Sequence, residues 1–477
     1  MKIMQYIRTA AGVLSVMLLF SCEKDFDKIN QDPNGVTDVP ADFLLPGAIM
    51  SISNAENGFM ESFAYASDWV QYTSGGFWAD PGRYHFERSR SFMWDNLYSG
   101  PLIDLKVMNR KAIQEGNMTL RAVSLVMYCY GFALLADCYG PVPFSQALAA
   151  EEGINKPEYD TQEQVYLALL DSLATASHLL TGVDRISIRS GYDVMFNGDG
   201  VKWLKFANAL RLRILMRISA TMEVSVLLSE LIADPDLPLP QSNSDDAKFL
   251  YSAASVRTWH PLYDVLSAEA SDGGFRLSKT LTDHLLSTND PRLPVYGVQN
   301  SSGDFAGLPT GSGATAGQID QYSRVNPRYG QKERPGVFIS YSEVMFLLAE
   351  AAARDLIDGD PEIWYNEAIR ANFMALELSD DQFNAFIESP QGRYTNLERI
   401  AQQKWVSLFG RGLEGWTEYR RTQLPQLTPA AFALVDVIPH RFLYPLSEEQ
   451  TNQDNLAKAI LMLANGDALN SAMWWMN

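Results

Sequence analysis

The stretch TLRAVSLVMYCYGFALLADC, residues 119–138, decides the fold class. Leu120, Val123, Val126, Met127, Tyr130 and Leu134 leave almost no polar face, as expected of a helix buried between neighbours. Amphipathic helices follow it. After a capping Asp160 or Thr161, Val165, Leu169, Leu173, Ala176 and Leu180 recur at steps of three and four. Trp203, Phe206, Leu210, Ile214 and Ile218 form a second stripe. A further helix begins near Ser340 with Val344, Leu348 and Ala351, and pairs with one from Pro361 that carries Trp364, Ala368 and Ile369. Helical pairs joined by Gly/Pro turns predict an all-α scaffold of tetratricopeptide-like units, each burying its face on the next. The spacing is irregular, with a long excursion at about 231–335, so the array is discontinuous. If Cys129 and Cys138 share one helix, they stand ~13 Å apart on opposite faces. A disulfide needs Cα atoms within ~7 Å, so both are expected to be buried thiols.

The chain has 477 residues, 47% hydrophobic and 20% charged, an ordinary globular composition. Its 57 acidic against 38 basic residues give a net charge of −19. That excludes a general nucleic-acid binder, which needs a basic footprint. Five His and three Cys leave little material for a catalytic metal centre. Lys202, Lys205, Arg211, Arg213 and Arg217 have no acid between them. An anion site is one reading; pairing with acidic neighbours is the plainer one. Arg217 falls on the apolar stripe and needs a buried partner.

At the N-terminus, Lys2 and Arg8 precede an apolar run from about Ala10 to Phe20 and then Ser21-Cys22. This is a secretory signal at 1–21, too short to span a membrane. Leu19-Phe20-Ser21-Cys22 resembles a lipobox, which makes Cys22 the expected acylation site and the membrane contact a lipid anchor. Cleavage at another site, giving a soluble periplasmic or secreted protein, is the alternative. Residues 22–42 read as a polar tether. Asn30, Asp32, Asn34 and Gly35 imitate half of a calcium loop, but Ala41 stands where a bidentate Glu is required.

Residues 63–98 hold eleven aromatics. Core packing is expected to take Phe63, Phe92 and Trp94. Gly75-Gly76 and Pro81-Gly82 interrupt the run, which suggests a loop with exposed rings that could stack on the C–H face of a sugar. Tyr72, Trp78 and Tyr84 are the candidate ligand contacts, with Arg83, Asp80 or Asn96 beside them for hydroxyls. Trp259, Tyr296, Tyr322 and Arg324 are further candidates in the excursion. Its Gly-rich 295–330 part has the length of a binding loop. No nucleotide fingerprint, H-E-x-x-H, G-x-S-x-G elbow or deaminase pair is present. Paired carboxylates for glycoside cleavage are not legible among 57 acids.

Several segments together resemble the SusD/RagB-like outer-membrane lipoproteins, and the resemblance covers essentially the whole mature chain. They are DFDKINQDPN at 25–34, ADCYGPVPFSQA at 136–147, DGVKWLKFAN at 199–208 and YSEV at 341–344. Most specific are QKWVSLF at 403–409, Gly415-Trp416, Tyr419-Arg420-Arg421, and PHRFLYP at 439–445 with Glu448, Asn452 and Asn455. The terminal Trp474-Trp475 also fits.

The resemblance implies four tetratricopeptide-like units and an irregular ligand-facing part in a single domain at 43–477. The scaffold would lie at about 100–230 and 336–375, with loop-rich insertions at about 63–98, 231–335 and 376–450. It implies a non-enzymatic surface protein of the outer membrane, without cofactor. Such a protein passes an oligosaccharide, or a peptide, to a SusC-like TonB-dependent transporter. A glycoside hydrolase and a pure protein-interaction scaffold are the competing classes. Shared family motifs are structural, so no binding residue carries over, and the aromatic candidates rest on local chemistry.

Overall fold

The structure is a computed structural model that describes residues 39–270 and 272–476. The expected signal peptide, Cys22 and most of the tether lie outside the described residues. From Ala41 onward the chain forms one compact unit. It begins two residues before the expected boundary, because Ala41–Leu44 closes a 3-10 turn whose Ala41 and Asp42 are buried. Asp42 accepts from the Arg189 guanidinium at 2.6 Å.

The described chain is 54% helix and 5% strand. Its helices of nine or more residues are α1 (Leu45–Glu56), α2 (Ile103–Gln114), α3 (Met118–Tyr139), α4 (Gln162–Leu180), α5 (Gly200–Ile218) and α6 (Ser225–Ala233). After the irregular excursion come α7 (Lys279–Ser287), α8 (Tyr341–Ala353), α9 (Pro361–Ala375), α10 (Asp380–Glu388), α11 (Leu397–Ser407), α12 (Gly412–Thr422) and α13 (Gln453–Leu461). Two small antiparallel ribbons pair β1 (Thr73–Gly75) with β3 (Phe275–Leu277), and β2 (Ala247–Phe249) with β4 (Gly336–Ile339).

Local chemistry sets the helix starts. The Asn117 side chain accepts from the Leu120 N–H to open α3. Thr161 and Gln164 form a capping box on α4, and Asp199, Ser340 and Asp360 cap α5, α8 and α9. The pairs α2/α3, α4/α5 and α8/α9 stack in sequence, and α8 packs on both α5 and α11. The excursion therefore interrupts the array between α5 and α8 without dividing it. Among the described residues only α3 has the length and apolarity to cross a membrane, and it is a largely buried core helix. Cys129 and Cys138 both lie on α3, buried and free.

Segment 376–450 departs from expectation. It is not loop-rich throughout: α10, α11 and α12 occupy most of 380–422. Ser379 forms a capping box with Gln382, and Asn396 caps α11, so both helices start on ordinary signals that the pattern of apolar residues understated. The irregular parts are the link at 389–396 and the longer stretch from about 423 to 445.

Buried charge ties these late helices to the scaffold. Arg217, 1% exposed, donates to Glu414 at 2.9 Å and to Glu418 at 2.9 Å. Arg213 and Arg411 both reach Glu343, at 2.6 and 2.5 Å. Lys404 donates to Glu418 at 2.6 Å, and Arg421 bridges Glu418 and Glu350 at 2.7 and 2.5 Å. Burial alone would push the Glu418 carboxyl up, but Arg421, Lys404 and Arg217 hold it well below the usual range. The expected acidic pairing is thus observed for Arg213, Arg217 and Lys205, the last on Asp245 at 2.8 Å, whereas Lys202 donates to the Ser244 carbonyl at 2.7 Å and Arg211 to the Asn208 side chain at 3.5 Å. Glu56 is the exception: neither oxygen has a hydrogen-bond partner. Burial pushes it up to about 8 despite nearby Arg411 and Arg213.

Two expectations follow. Arg217→Ala leaves Glu414 buried without its hydrogen-bonded cation and takes one of three cations from Glu418, and is expected to cost about 3–5 kcal/mol in urea unfolding; a loss below about 1 kcal/mol contradicts a structural network. Glu56 binds its proton more tightly in the folded state. Its stabilising contribution is complete below 4.5 and is lost as pH rises towards about 8. Glu56→Gln is therefore expected to flatten the fall of melting temperature across that window, and an unchanged profile counts against a neutral buried carboxyl.

Candidate functional site

The site is built on the turn that follows a π-wound stretch, Phe59–Ala66, and its extension Ser67–Trp69. α12 lies directly against this segment. A Cβ at Gly412 would stand 2.0 Å from the Ser62 carbonyl oxygen, and one at Gly415 would stand 2.5 Å from the Tyr72 hydroxyl. Only glycine permits that approach. Aromatic groups lock the junction. The Tyr72 hydroxyl donates to the Trp405 carbonyl at 2.6 Å, and the Trp405 indole donates to the Val70 carbonyl at 3.0 Å. The Trp69 indole donates to the Pro81 carbonyl at 2.9 Å and so fixes the far end of the loop.

Between those anchors, residues 73–84 fold over Asp68. Asp68 is fully buried and accepts from the Thr73 hydroxyl at 2.7 Å and the Gly75 N–H at 3.0 Å. It has no ion-pair partner among the described residues, and burial pushes its carboxyl up to about 7 against those two hydrogen bonds. The loop then meets the excursion. Gly76 donates to the Gly274 carbonyl and Ala314 to the Gly76 carbonyl, each at 2.9 Å. Arg83 Nε donates to the Gly311 carbonyl at 2.8 Å.

A cleft of about 350 Å³ opens where the loops join, lined by Phe77, Trp78, Asp80 and Arg83 on one side and by Ser312, Thr315 and Gln318 on the other. Phe77 is 51% exposed and backs onto Gly274, whose Cβ position lies 2.6 Å from the ring. Trp78 is half-buried, with Phe59 and Tyr65 at ring distances of 6.3 and 6.2 Å and Arg90 over its face at 5.7 Å. Across Arg83 the irregular segment 428–436 walls a second, wider cleft of about 740 Å³. The Leu434 N–H donates to the Arg83 carbonyl at 2.9 Å, and Phe432, 76% exposed, lies over the Arg83 guanidinium at 5.8 Å.

The expected residues divide sharply. Trp78 and Arg83 come together in the cleft, and Asp80 joins them. Tyr72, Tyr84 and Tyr296 do not serve as stacking platforms: each is at most 1% exposed, with its hydroxyl bonded to main chain of Trp405, Ala430 and Val406. Rings without an open face are core. Trp259 lies elsewhere, between Tyr263 at 4.6 Å and the Lys332 ammonium at 4.1 Å. Tyr322 and Arg324 are half-buried and outside the cleft wall; Arg324 stands 4.0 Å from Asp272. Phe63 and Trp94 are core as expected, whereas Phe92 is 54% exposed. Sequence reasoning missed Phe77 as a platform, the Ser312–Gln318 wall and Phe432. The uncharged run TPAAFALV at 428–435 was the available signal for Phe432 in so acidic a chain.

Comparison with known proteins adds the following. The SusD-like family described as starch-binding and associating with the outer membrane matches residues 33–445. A solved chitin-binding protein is 25% identical, covers 92% of this chain and 100% of its own, and superposes with a TM-score of 0.78. A SusD homologue from Bacteroides fragilis is 23% identical over 92% of this chain and 100% of its own, with a TM-score of 0.76. A chitin-binding SusD homologue from Flavobacterium johnsoniae is 21% identical over 91% and 98%, with a TM-score of 0.80. No curated protein matches the chain.

The electrostatics of the loop carry an expectation. Asp68 contributes stability that is complete below 3.8 and is lost as pH rises towards about 7. Asp68→Asn keeps an acceptor for the Gly75 N–H and is expected to raise the melting temperature most at the alkaline end of that window. An equal change at acid and alkaline pH contradicts the assignment.

Proposed function

The chain belongs to the SusD-like family, and on that premise we propose that it is a non-enzymatic, surface-exposed lipoprotein. It captures an oligosaccharide and passes it to a TonB-dependent transporter of the outer membrane. The observation that carries this reading is the convergence of an exposed Phe77 and a half-buried Trp78 with Asp80, Arg83, Thr315 and Gln318 around one open cleft. Flat rings stack on the C–H faces of sugars, and the surrounding polar groups can bond hydroxyls. Arg90, exposed and paired with Glu87 at 2.9 Å, is the group that a sugar stacking on Trp78 displaces.

Two further points support the reading. The wall of this cleft contains a single carboxylate, Asp80, whereas glycoside hydrolysis commonly uses a facing pair. The described His260 and His284 are held neutral by burial, at about 2 and about 4, and neither lines the cleft. Two of the superposed relatives are chitin-binding by name, so N-acetylglucosamine oligomers head the list of glycans to try.

Calorimetry against oligosaccharides and peptides tests the ligand class. Heat with a glycan is expected; heat with peptides and none with any glycan reverses the assignment. For the glycan that binds, Trp78→Ala and Phe77→Ala are each expected to weaken affinity roughly threefold to tenfold. Unchanged affinity in both variants removes the cleft as the site. Cys22→Ser is expected to abolish metabolic labelling with palmitate and release the chain from the membrane fraction; retained labelling contradicts lipidation at Cys22.

A further inference from the structure

We propose that a third cleft, which shares no wall residue with the Phe77–Trp78 cleft, binds a small organic ammonium ion with an apolar stem. This cleft measures about 360 Å³. It is formed by the helical turn Met93–Leu97 and its continuation Tyr98–Leu102, the loop at 143–157, and the start of the short helix Leu446–Thr451. Trp94 and Tyr98, with ring centroids 5.0 Å apart, and Leu148 and Ile154 supply the apolar wall.

Two carboxylates interrupt that wall, and the lining includes no Lys or Arg. Asp95 Oδ1 accepts from the Ser447 hydroxyl at 2.7 Å. Glu448 Oε2 accepts from the Tyr159 hydroxyl at 2.6 Å and from the Asn452 amide at 3.4 Å. Because Ser447 and Glu448 are adjacent, these bonds bring the two acids to one end of the cleft. Asp95 Oδ2 and Glu448 Oε1 have no hydrogen-bond partner, and neither residue has an ion-pair partner, among the described residues. The nearest acid in sequence behaves differently: Glu449 is paired with Arg88 at 2.7 Å. Lys106 ties the opposite wall by donating to the Ala147 and Leu148 carbonyls at 3.1 and 2.9 Å. The Tyr98 phenol donates to the Pro143 carbonyl at 2.6 Å and is pushed well above its usual range, first by burial and then by Glu448.

Each wall component selects the same chemistry. An ammonium group gains charge-assisted hydrogen bonds from the two free carboxylate oxygens. Its positive charge is attracted to the partly exposed Tyr98 ring, which the buried Trp94 backs, and its methylene stem is removed from water by Leu148 and Ile154. A neutral sugar can donate hydroxyls to the carboxylates but brings no charge to offset theirs, and an anion is repelled. The Phe77–Trp78 cleft, where Asp80 and Arg83 stand 3.8 Å apart, carries one charge of each sign and lacks this excess of carboxylate. The two sites therefore take different ligands.

Calorimetry on the purified chain with cadaverine, Nα-acetyl-lysine methylamide and the neutral isostere Nα-acetyl-norleucine methylamide tests this. The two ammonium compounds are expected to bind, more weakly as ionic strength rises, and the isostere is not. Tighter binding of cadaverine points to a free amine as the natural ligand, and tighter binding of the lysine derivative to a side chain. Glu448→Gln and Asp95→Asn are each expected to weaken binding at least about fivefold, with an unchanged melting temperature as the folding control. Trp78→Ala is expected to leave it unaltered. Failure of both amines to bind, equal binding of the isostere, or indifference to both carboxamide variants overturns the proposal.

Discussion

Arg217 has no exposed surface on which to rest its charge, and the whole arrangement of late helices follows from how that charge is met. A buried guanidinium without partners is among the costliest groups a fold can contain. Here α12 supplies Glu414 and Glu418 at positions about two hundred residues later in the chain, and Glu418 in turn holds Lys404 and Arg421. Arg213, one turn earlier on α5, shares Glu343 of α8 with Arg411. The scaffold and the C-terminal helices are thus joined through charges that satisfy one another. An apolar contact surface of the same size would tolerate sliding; a set of interlocked ion pairs does not.

That clasp matters for the cleft because α12 has two faces. One carries Glu414, Glu418 and Arg421 towards the scaffold. The other brings Gly412 and Gly415 against residues 62–72, immediately before the loop that holds Phe77 and Trp78. The loop itself contains almost no regular structure. Its shape is maintained by the Tyr72 hydroxyl on the Trp405 carbonyl and the Trp405 indole on the Val70 carbonyl, by the Trp69 anchor on Pro81, and by main-chain bonds to Gly274 and Ala314. A site that recognises sugars by flat contact needs rings held at fixed inclination before the ligand arrives, since ordering them on binding subtracts from affinity.

The helical scaffold was legible because its signals are periodic. Caps at Thr161 and Ser340, the stripe from Trp203 to Ile218 and the demand of Arg217 for a buried partner all survive intact in the fold. The helices between 380 and 422 are hard to read because their apolar residues are sparse and the polar faces of α11 and α12 are buried by charge pairing, which no hydropathy pattern records. The site was half legible. Gly-Gly and Pro-Gly marked a loop rich in rings, and Trp78 and Arg83 do meet there. Which rings face outward depends on partners far away in sequence: Trp405 claims Tyr72, Ala430 claims Tyr84 and Val406 claims Tyr296. Burial of an aromatic is a property of the fold, and a run of eleven aromatics carries no mark of it.

The central claim is that the junction of the 76–83 turn with the 311–318 segment is the ligand surface, held by the α12 clasp. Hydrogen–deuterium exchange of the chain with and without a saturating glycan that binds it tests this most directly. The account predicts slowed exchange at the amides of 76–84 and 311–318, with the α5 and α12 amides slow in both states. Protection confined to other segments, or none in either of these two, would contradict it.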